Sequence, residues 1–494
     1  MPSLPFLRSL LAVFWLSSVA TVFAATERPN IVFILCDDLG VNDLACYGRT
    51  DHSTPNLDRL AREGVRFTSA YCGQPICSPS RAALLTGKTP ARLHLTTYLP
   101  GRPDSPAQKL LHPVIEKQVP LSEKTLARYF KEGGYVTAAI GKWHIGGPGF
   151  GPEEHGFDVA KAPRNNTTPS ATEGSKGEFA LTEAAERFID AHRDRPFLLY
   201  LAHYTPHIPF KATPEHTAAH ATAFEPTYAA VIENLDRTVG RLLAKLDALQ
   251  LTKNTIVVFT SDNGGLHVPE GGHARVTHNT PFRAGKGYVY EGGLRIPLIA
   301  RWPGHFPTGR TVSEPVINTG WIATLLDLAG VKTTTPADGQ SFAALLKGAA
   351  SAQSKDQTFF WHFPHYNNQG GRPAGAVRQG NWKFVEYYDA PDAPELYDLS
   401  TDVGERRNLA SQHPDRVRQL RSALAAWRKE IAAQTNVPNP DFDTVKYREI
   451  YRDFDASAFD PLHATAQDWA AIATWRSRMN VAVARPANAA ANKK

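Results

Sequence analysis

The stretch Pro75-Ile76-Cys77-Ser78-Pro79-Ser80-Arg81-Ala82-Ala83-Leu84-Leu85-Thr86-Gly87 reads as a loop turning into a helix. Pro79 suits the first helical position, where a missing N–H costs nothing. The apolar run Ala82 to Leu85 follows, and Gly87 stops it. Cys77 is thus expected just before a helix N-terminus, where free backbone N–H groups and a positive dipole end favour an anion. The same placement lowers a thiol pKa and could make the cysteine reactive. Arg81, about one turn on, can aim its fork at the same anion. A capped helix with an incidental cysteine would read the same way.

Outward from this stretch, buried strands recur. Ile31 to Leu35 is a short continuous apolar run that ends in Cys36-Asp37-Asp38-Leu39-Gly40. Thr255 to Thr260 is another, ending in Ser261-Asp262-Asn263-Gly264-Gly265. Such runs suit strands covered on both faces of a parallel sheet, and open α/β sheets place ligands at the carboxyl edge. Four oxygen-bearing side chains, Asp37, Asp38, Asp262 and Asn263, therefore end two strands. Singly they would read as N-caps or Asx-turns; together they make a hard-cation site, with flexible carboxylates favouring calcium.

Further strands are expected at Val65 to Phe67, Tyr135 to Ile140 and Phe197 to Leu201. Helices are expected from Ser122 through Phe130, over Phe179 to His192, Tyr228 to Leu249 and Ile322 to Leu328. The Gly- and His-rich segment from Leu266 to Gly287 has no period and reads as an active-site loop. Alternating strands and helices predict an α/β fold, a mostly parallel sheet sandwiched by helices, over residues 25–350. After a small, polar stretch near Gly348 to Lys355 the rhythm changes. Phe359 to His362, Ala376 to Arg378, Trp382 to Tyr387 and Glu395 to Asp398, closed by a helix over Arg416 to Ile431, predict a smaller α+β subdomain with an antiparallel sheet over 351–485. Residues 486–494 read as a disordered tail.

The chain has 494 residues, 42% hydrophobic and 21% charged, with a formal charge of +6. Basic residues form no long run, which argues against nucleic acid as a partner. Residues 1–24 carry one basic residue, Arg8, an apolar stretch and the small-x-small end Val22-Phe23-Ala24. They read as a secretory leader, so export to the periplasm or beyond is expected. No later stretch is apolar enough for a membrane anchor. The 4 cysteines exclude a disulfide-built scaffold; a Cys46–Cys72 bridge is the pairing open to an exported chain.

Cys-x-Pro-x-Arg at Cys77 to Arg81, followed by Ala-Ala-Leu-Leu-Thr-Gly, resembles the modification motif of the type I sulfatases. Gly134-Tyr135-Val136-Thr137-Ala138-Ala139-Ile140-Gly141-Lys142-Trp143-His144 resembles their second signature throughout. The likeness extends from about Pro29 to the domain boundary, more weakly beyond, where Phe360 to Tyr366 and Arg372 to Arg378 resemble bacterial polysaccharide sulfatases of the arylsulfatase A-like type. It implies an alkaline-phosphatase-like sheet. It also implies conversion of Cys77 to formylglycine by a separate maturation system, and Ca²⁺ held by Asp37, Asp38, Asp262 and Asn263 together with the modified residue 77. By their motifs, Arg81, Lys142 and Lys286 would hold the sulfate oxygens. His207, with Lys286, would protonate the leaving oxygen, and His144 would take the proton from the second hydroxyl of the hydrated aldehyde. The family's remaining polar sulfate contact has no match between Gly146 and Asp158.

The implied activity is sulfuric ester hydrolysis on a sulfated glycan. Thr277 to Arg283 directly precedes Lys286, so His278, Asn279 and Arg283 are expected to line the sugar pocket. His362, His365 and Arg372 are expected to complete it from the second domain. A pocket closed by two domains suits exo-action, and the resembling sequences lean toward galactose or N-acetylgalactosamine sulfate. For Phe359 to Phe363 a packed aromatic core is the rival reading. The rival functions are a phosphonate monoester or phosphodiester hydrolase and a non-catalytic binder of sulfated glycans. Nothing in the sequence sets an oligomeric state.

Overall fold

The computed structural model describes residues 28–162, 168–333, 338–350 and 357–483. The expected leader (1–24) and tail (486–494) lie outside the described residues, as do 351–356, where the domain boundary was expected.

The strands in chain order are β1 (Asn30–Asp37), β2 (Val65–Tyr71), β3 (Leu110–Leu111), β4 (Val136–Gly141), β5 (Val159–Lys161), β6 (Phe197–Pro206), β7 (Thr255–Ser261) and β8 (Arg295–Arg301), then β9 (Arg310–Val312), β10 (Val316–Ile317), β11 (Thr358–Phe363), β12 (Ala374–Gln379), β13 (Trp382–Tyr387), β14 (Glu395–Asp398) and β15 (Val437–Pro438). Nine form one sheet in the order β10-β2-β8-β7-β1-β6-β4-β5, with β9 also on β2. All pairings are parallel except those of β8, which runs antiparallel to both β2 and β7.

All eight residues of β1 are buried, since parallel neighbours flank it on both sides. Its alternate side chains enter two separate cores. Ile31, Phe33 and Leu35 pack with the helices Cys77–Thr86, Leu126–Glu132 and Trp321–Ala329. Val32, Ile34 and Cys36 pack with Pro55–Arg62, Glu178–His192 and Pro226–Ala248. A strand buried on both faces needs this unbroken apolar run, which is why periodicity alone located it.

β11 to β14 form the second, antiparallel sheet. One face holds Val377, Phe384 and Leu396 against Val417, Leu420 and Leu424 of the helix Pro414–Glu430. The other face presents Phe359, Trp361 and Phe363 to the core of the main sheet. The aromatic-core reading of Phe359 to Phe363 thus describes their packing. Glu291 ties the sheets together while fully buried. It accepts from Tyr71 Oη at 2.6 Å, Arg295 Nε at 2.6 Å and Lys383 Nζ at 2.7 Å. A buried carboxylate is tolerable only when so paired.

One expectation is corrected, one open pairing is excluded, and two helices appear that were not foreseen. The helix expected from Ser122 begins at Leu126 with Thr125 as its cap, because Pro120 to Glu123 form a turn of their own. No Cys46–Cys72 bridge exists, since all four cysteines are free; the Cys72 thiol instead points at the Gly293 carbonyl, 3.6 Å away. The helices Thr444–Tyr451 and Ala466–Val483 were not anticipated. They place Tyr447, Ile450, Ile472, Trp475 and Met479 in the core behind β1.

Candidate active site

The helix Cys77–Thr86 starts two residues earlier than its proline indicated. Ile76, extended at φ −157°, is the N-cap, and Cys77 is the first helical residue. Pro79 still falls in the first turn, where N–H groups lack intrahelical partners. Gly87 ends the helix at φ 68°, as expected. All ten helical residues are buried, so the expected reactive thiol is corrected too. Burial pushes the Cys77 thiol up to about 11, although Lys142 and Lys286 pull the other way.

The strand ends meet around this helix start. Asp37 closes β1, and Asp38 follows in the left-handed region at φ 65°. That turn brings the Asp38 N–H to Asp262 Oδ1 at 3.1 Å, just past the end of β7. Arg81 crosses beneath. Its Nε donates to Asp262 Oδ2 at 2.8 Å and its Nη1 to the Lys142 carbonyl at 3.1 Å, with Asp37 Oδ1 3.8 Å away. Arg81 therefore fixes Asp262 and the end of β4 as well as adding charge.

Lys142 Nζ lies 2.5 Å from Asp37 Oδ2, and Lys286 Nζ lies 2.6 Å from Asp38 Oδ2. For both carboxyls burial works against ionisation, yet Lys142 on Asp37 and Lys286 on Asp38 outweigh it and hold them below their usual range. Burial also opposes the Lys286 charge, but Asp38 prevails and raises its pKa. Asp262 is the carboxyl that burial pushes up, against the pull of Arg81. Lys142 is placed by Gly141, which has φ 104° and would set a Cβ 1.9 Å from the Ala202 carbonyl oxygen of β6. That approach lets the Lys142 N–H reach the same oxygen at 2.8 Å.

The two histidines have assigned faces. His144 donates through Nε2 to the Leu99 carbonyl at 3.1 Å, which leaves Nδ1 buried and without a hydrogen-bond partner. Burial, with Lys142 nearby, lowers its pKa to about 3, so it is a neutral acceptor at neutral pH. His207 donates through Nδ1 to the Ile208 carbonyl and turns Nε2 toward Asp38 Oδ2, 3.6 Å away. Burial and then Lys286 lower it to about 3 as well.

The donor set fits a cation. Ligating atoms of Asp37, Asp38, Cys77 and His207 lie within 4.8 Å of one another. Asp37 Oδ1 and Asn263 Oδ1 are buried without partners, which is costly for acceptors that nothing else satisfies. Asn263 Nδ2 is 2.8 Å from Asp38 Oδ1; a half-turn of the amide would face its oxygen to the same point. Carboxylate and amide oxygens suit calcium.

The sequence model described as Sulfatase matches residues 29–331, and the one described as N-sulphoglucosamine sulphohydrolase, C-terminal, matches 284–430. The N-acetylgalactosamine-6-O-sulfatase of Bacteroides thetaiotaomicron is 31% identical over 81% of this chain and 93% of its own. The chain belongs to the sulfatase family. Arylsulfatase A of Homo sapiens is 32% identical, over 80% of this chain and 86% of its own. Among solved structures, Ps i-CgsB in complex with k-i-k-neocarrahexaose is similar at a TM-score of 0.70 and 28% identity, covering 92% of this chain and 99% of that one. The phosphonate monoester hydrolase of Agrobacterium radiobacter, at 20% identity and a TM-score of 0.62, shares the fold. The protein is a sulfuric ester hydrolase on an α/β sheet with a C-terminal antiparallel sheet, as expected.

This sulfatase brings together Cys77, Arg81, Lys142, His144, His207 and Lys286 with Asp37, Asp38, Asp262 and Asn263. The residues expected to touch sugar have these surroundings within the protein. Asn279 gives its amide to the Gly265 and Ala284 carbonyls, both at 2.9 Å. Arg283 lies over Tyr290 at 4.0 Å and donates to Tyr397 Oη at 3.0 Å. Arg372 pairs with Asp389 at 2.8 Å. His362 uses both ring nitrogens, on Tyr388 Oη and the Gln434 carbonyl, at 2.7 Å each. His365 meets Thr96 Oγ1 at 2.7 Å. His278 keeps a buried ring nitrogen without a partner and packs edge-on to Phe224.

Two features had no motif to announce them. Lys176, fully buried, donates to the Ile208 carbonyl at 2.9 Å, beside His207. Burial lowers its pKa to about 7, with Asp37 acting against that. It sits in an irregular turn, with Gly174, Ser175 and Gly177 all at positive φ. Glu178 accepts the Tyr204 N–H at 3.2 Å and pairs with the His203 ring, bracing the end of β6 that carries His207.

Proposed function

We propose that the protein removes sulfate from a sulfated carbohydrate, acting on a terminal galactose or N-acetylgalactosamine sulfate. The observation that carries this reading is the convergence at the Cys77 helix start of two lysines, two histidines and three carboxylates. The galacto preference is supported by relatives named as N-acetylgalactosamine-6-sulfatases and by the likeness to a structure holding a neocarrahexaose. The apolar leader at residues 1–24 supports export, and the Cys-x-Pro-x-Arg sequence supports a partner system that oxidises Cys77.

Oxidation of Cys77 to formylglycine supplies, once hydrated, an oxygen nucleophile and a second hydroxyl through which sulfate can leave. Calcium held by Asp37, Asp38, Asp262 and Asn263 supplies positive charge for the sulfate oxygens and the attacking hydroxyl. Lys142 and Lys286 hold the sulfate's negative oxygens in a buried site, where such contacts are strongest. His144 accepts a proton at Nδ1, the lone pair left open by its bond to Leu99. At rest His207 is neutral, kept so by burial and then by Lys286, with its one proton on Nδ1. The incoming sulfate anion favours uptake of a second proton from solvent at Nε2, and that proton passes to the leaving sugar oxygen. The high barrier for expelling a sugar alkoxide makes this proton necessary.

His207→Ala should therefore lower kcat about 10²-fold or more on a sugar sulfate, and far less on an activated phenyl sulfate. Equal losses on both would make His207 a binding residue. The substrate reading is tested on a panel of sulfated mono- and oligosaccharides, with free sulfate measured alongside turnover of a phosphodiester. Galacto-configured sugars sulfated at the non-reducing end should release sulfate first. Release only from internal positions defeats exo-action, activity confined to glucosamine or uronate sulfates defeats the galacto reading, and faster phosphodiester turnover defeats both.

A further inference from the structure

Away from the catalytic helix, a second set of ligating side chains converges. His216 belongs to the short helix Pro214–Ala219 and His220 is its C-cap, so the two rings share one face at i and i+4. Both turn Nε2 onto one atom, Glu233 Oε2 of the long helix Pro226–Ala248, at 2.9 and 2.7 Å. Ligating atoms of these three residues lie within 4.8 Å of one another. Arg237 holds the other carboxylate oxygen, Oε1, which leaves Oε2 turned to the imidazoles. The side chains are 15%, 11% and 20% exposed, sheltered yet within reach of solvent. Burial works against the charge of Glu233, but its bonds to His216, His220 and Arg237 hold it down to about 2, so it stays ionised.

Two imidazole nitrogens and one carboxylate oxygen form the three-ligand set that zinc accepts, with a fourth position left for water. Bonds of about 2.0–2.1 Å to a tetrahedral ion place its ligands roughly 3.3 Å apart. The nitrogen–oxygen spacings here need open by only about half an ångström, and the carboxylate partner on Oε1 is the kind of outer contact that orients a ligating group. Two imidazole donors against one carboxylate separate this place from the site beside Cys77, where carboxylate and amide oxygens dominate and a harder ion is suited.

We propose that His216, His220 and Glu233 form a binding site for a zinc-class divalent cation. Its place in the fold gives it work to do. The segment from Ile208 to Glu225 links the strand end that carries His207 to the long helix. Phe210 of that segment stacks on His273 at 4.0 Å, and Phe224 meets His278 at 5.3 Å. An ion at His216, His220 and Glu233 pins the middle of the strap to the long helix and restrains both ends.

The full-length protein, stripped with a chelator and returned to calcium, is titrated with zinc chloride by calorimetry, and bound zinc is counted after desalting. Wild type should hold one more zinc per chain than His220→Ala or Glu233→Gln, and each change should weaken the corresponding binding step at least about tenfold. Zinc should raise the melting temperature of wild type by several degrees and leave the variants unmoved. The same difference is expected in a Cys77→Ala background, where zinc at the catalytic site is disfavoured. Equal zinc counts in wild type and both variants, or no binding at micromolar zinc, overturn the proposal. His216→Ala replaces any variant that fails to fold, and because no step reads turnover, the result is independent of the sulfatase substrate.

Discussion

Cys77→Ala is expected to lower turnover by about 10⁴-fold or more, because it removes the thiol from which the formylglycine is made and leaves only binding and electrostatics. The change should cost little stability. The thiol is buried but small, and alanine follows it at Ala82 and Ala83 in the same helix without disturbing it. Cys77→Ser is the sharper comparison. Serine keeps one oxygen but lacks the second hydroxyl, so it should trap sulfate once per chain and fail to release it. Protein made with a formylglycine-generating activity should show an aldehyde at residue 77 by peptide mass spectrometry, and activity should scale with the converted fraction. Wild-type rates from Cys77→Ala, or full activity with an unconverted thiol, would reassign the nucleophile.

Asp262→Ala should be damaging in two ways at once. It removes a carboxylate from the proposed cation site, and it strands Arg81 in a fully buried position with its closest ion pair gone. Breaking a buried pair from one side costs about 3–5 kcal/mol, because the remaining charge has no water to turn to. Arg81 keeps the Lys142 carbonyl and a distant Asp37, which sets the loss at that order rather than above it. Asp262→Asn keeps the shape and one acceptor, so it should recover much of the stability and little of the activity. Melting curves and sulfate release, with and without a calcium chelator, separate the two effects. Chelation that changes neither melting nor turnover would remove the cation from the reading.

The skeleton of this site was legible because it sits where long-range order and local sequence agree. β1 and β7 are continuous apolar runs that end in oxygens, and such runs can be placed without knowing their neighbours. Lys142 and His144 were singled out through an extended signature, as was Cys77, since each lies in or beside a largely buried stretch. The thiol's environment was misread for the same reason in reverse. The helix N-terminus is visible in sequence, but the complete burial that overrides it belongs to the tertiary structure. Asn279 and Arg283 precede Lys286 in the chain, yet on an irregular loop adjacency does not set direction, and the hydrogen bonds by which both fasten the loop could not be read from the sequence. Lys176 and the Glu178–His203 pair were illegible because a turn of positive-φ residues has no period to read.

Gly141 has a consequence for how far this enzyme can drift. Elsewhere in the site, positions are set by soft restraints such as ion pairs and rotamers, which yield by degrees. Between β4 and β6 the spacing is set by main-chain atoms already in contact, with no room for a single methyl group. A soft restraint permits graded change, whereas a contact of this kind admits only intact or broken. The lysine beside it therefore inherits a position that neighbouring substitutions cannot tune. Variation in this enzyme has to enter through the loops instead, leaving that lysine at a fixed address.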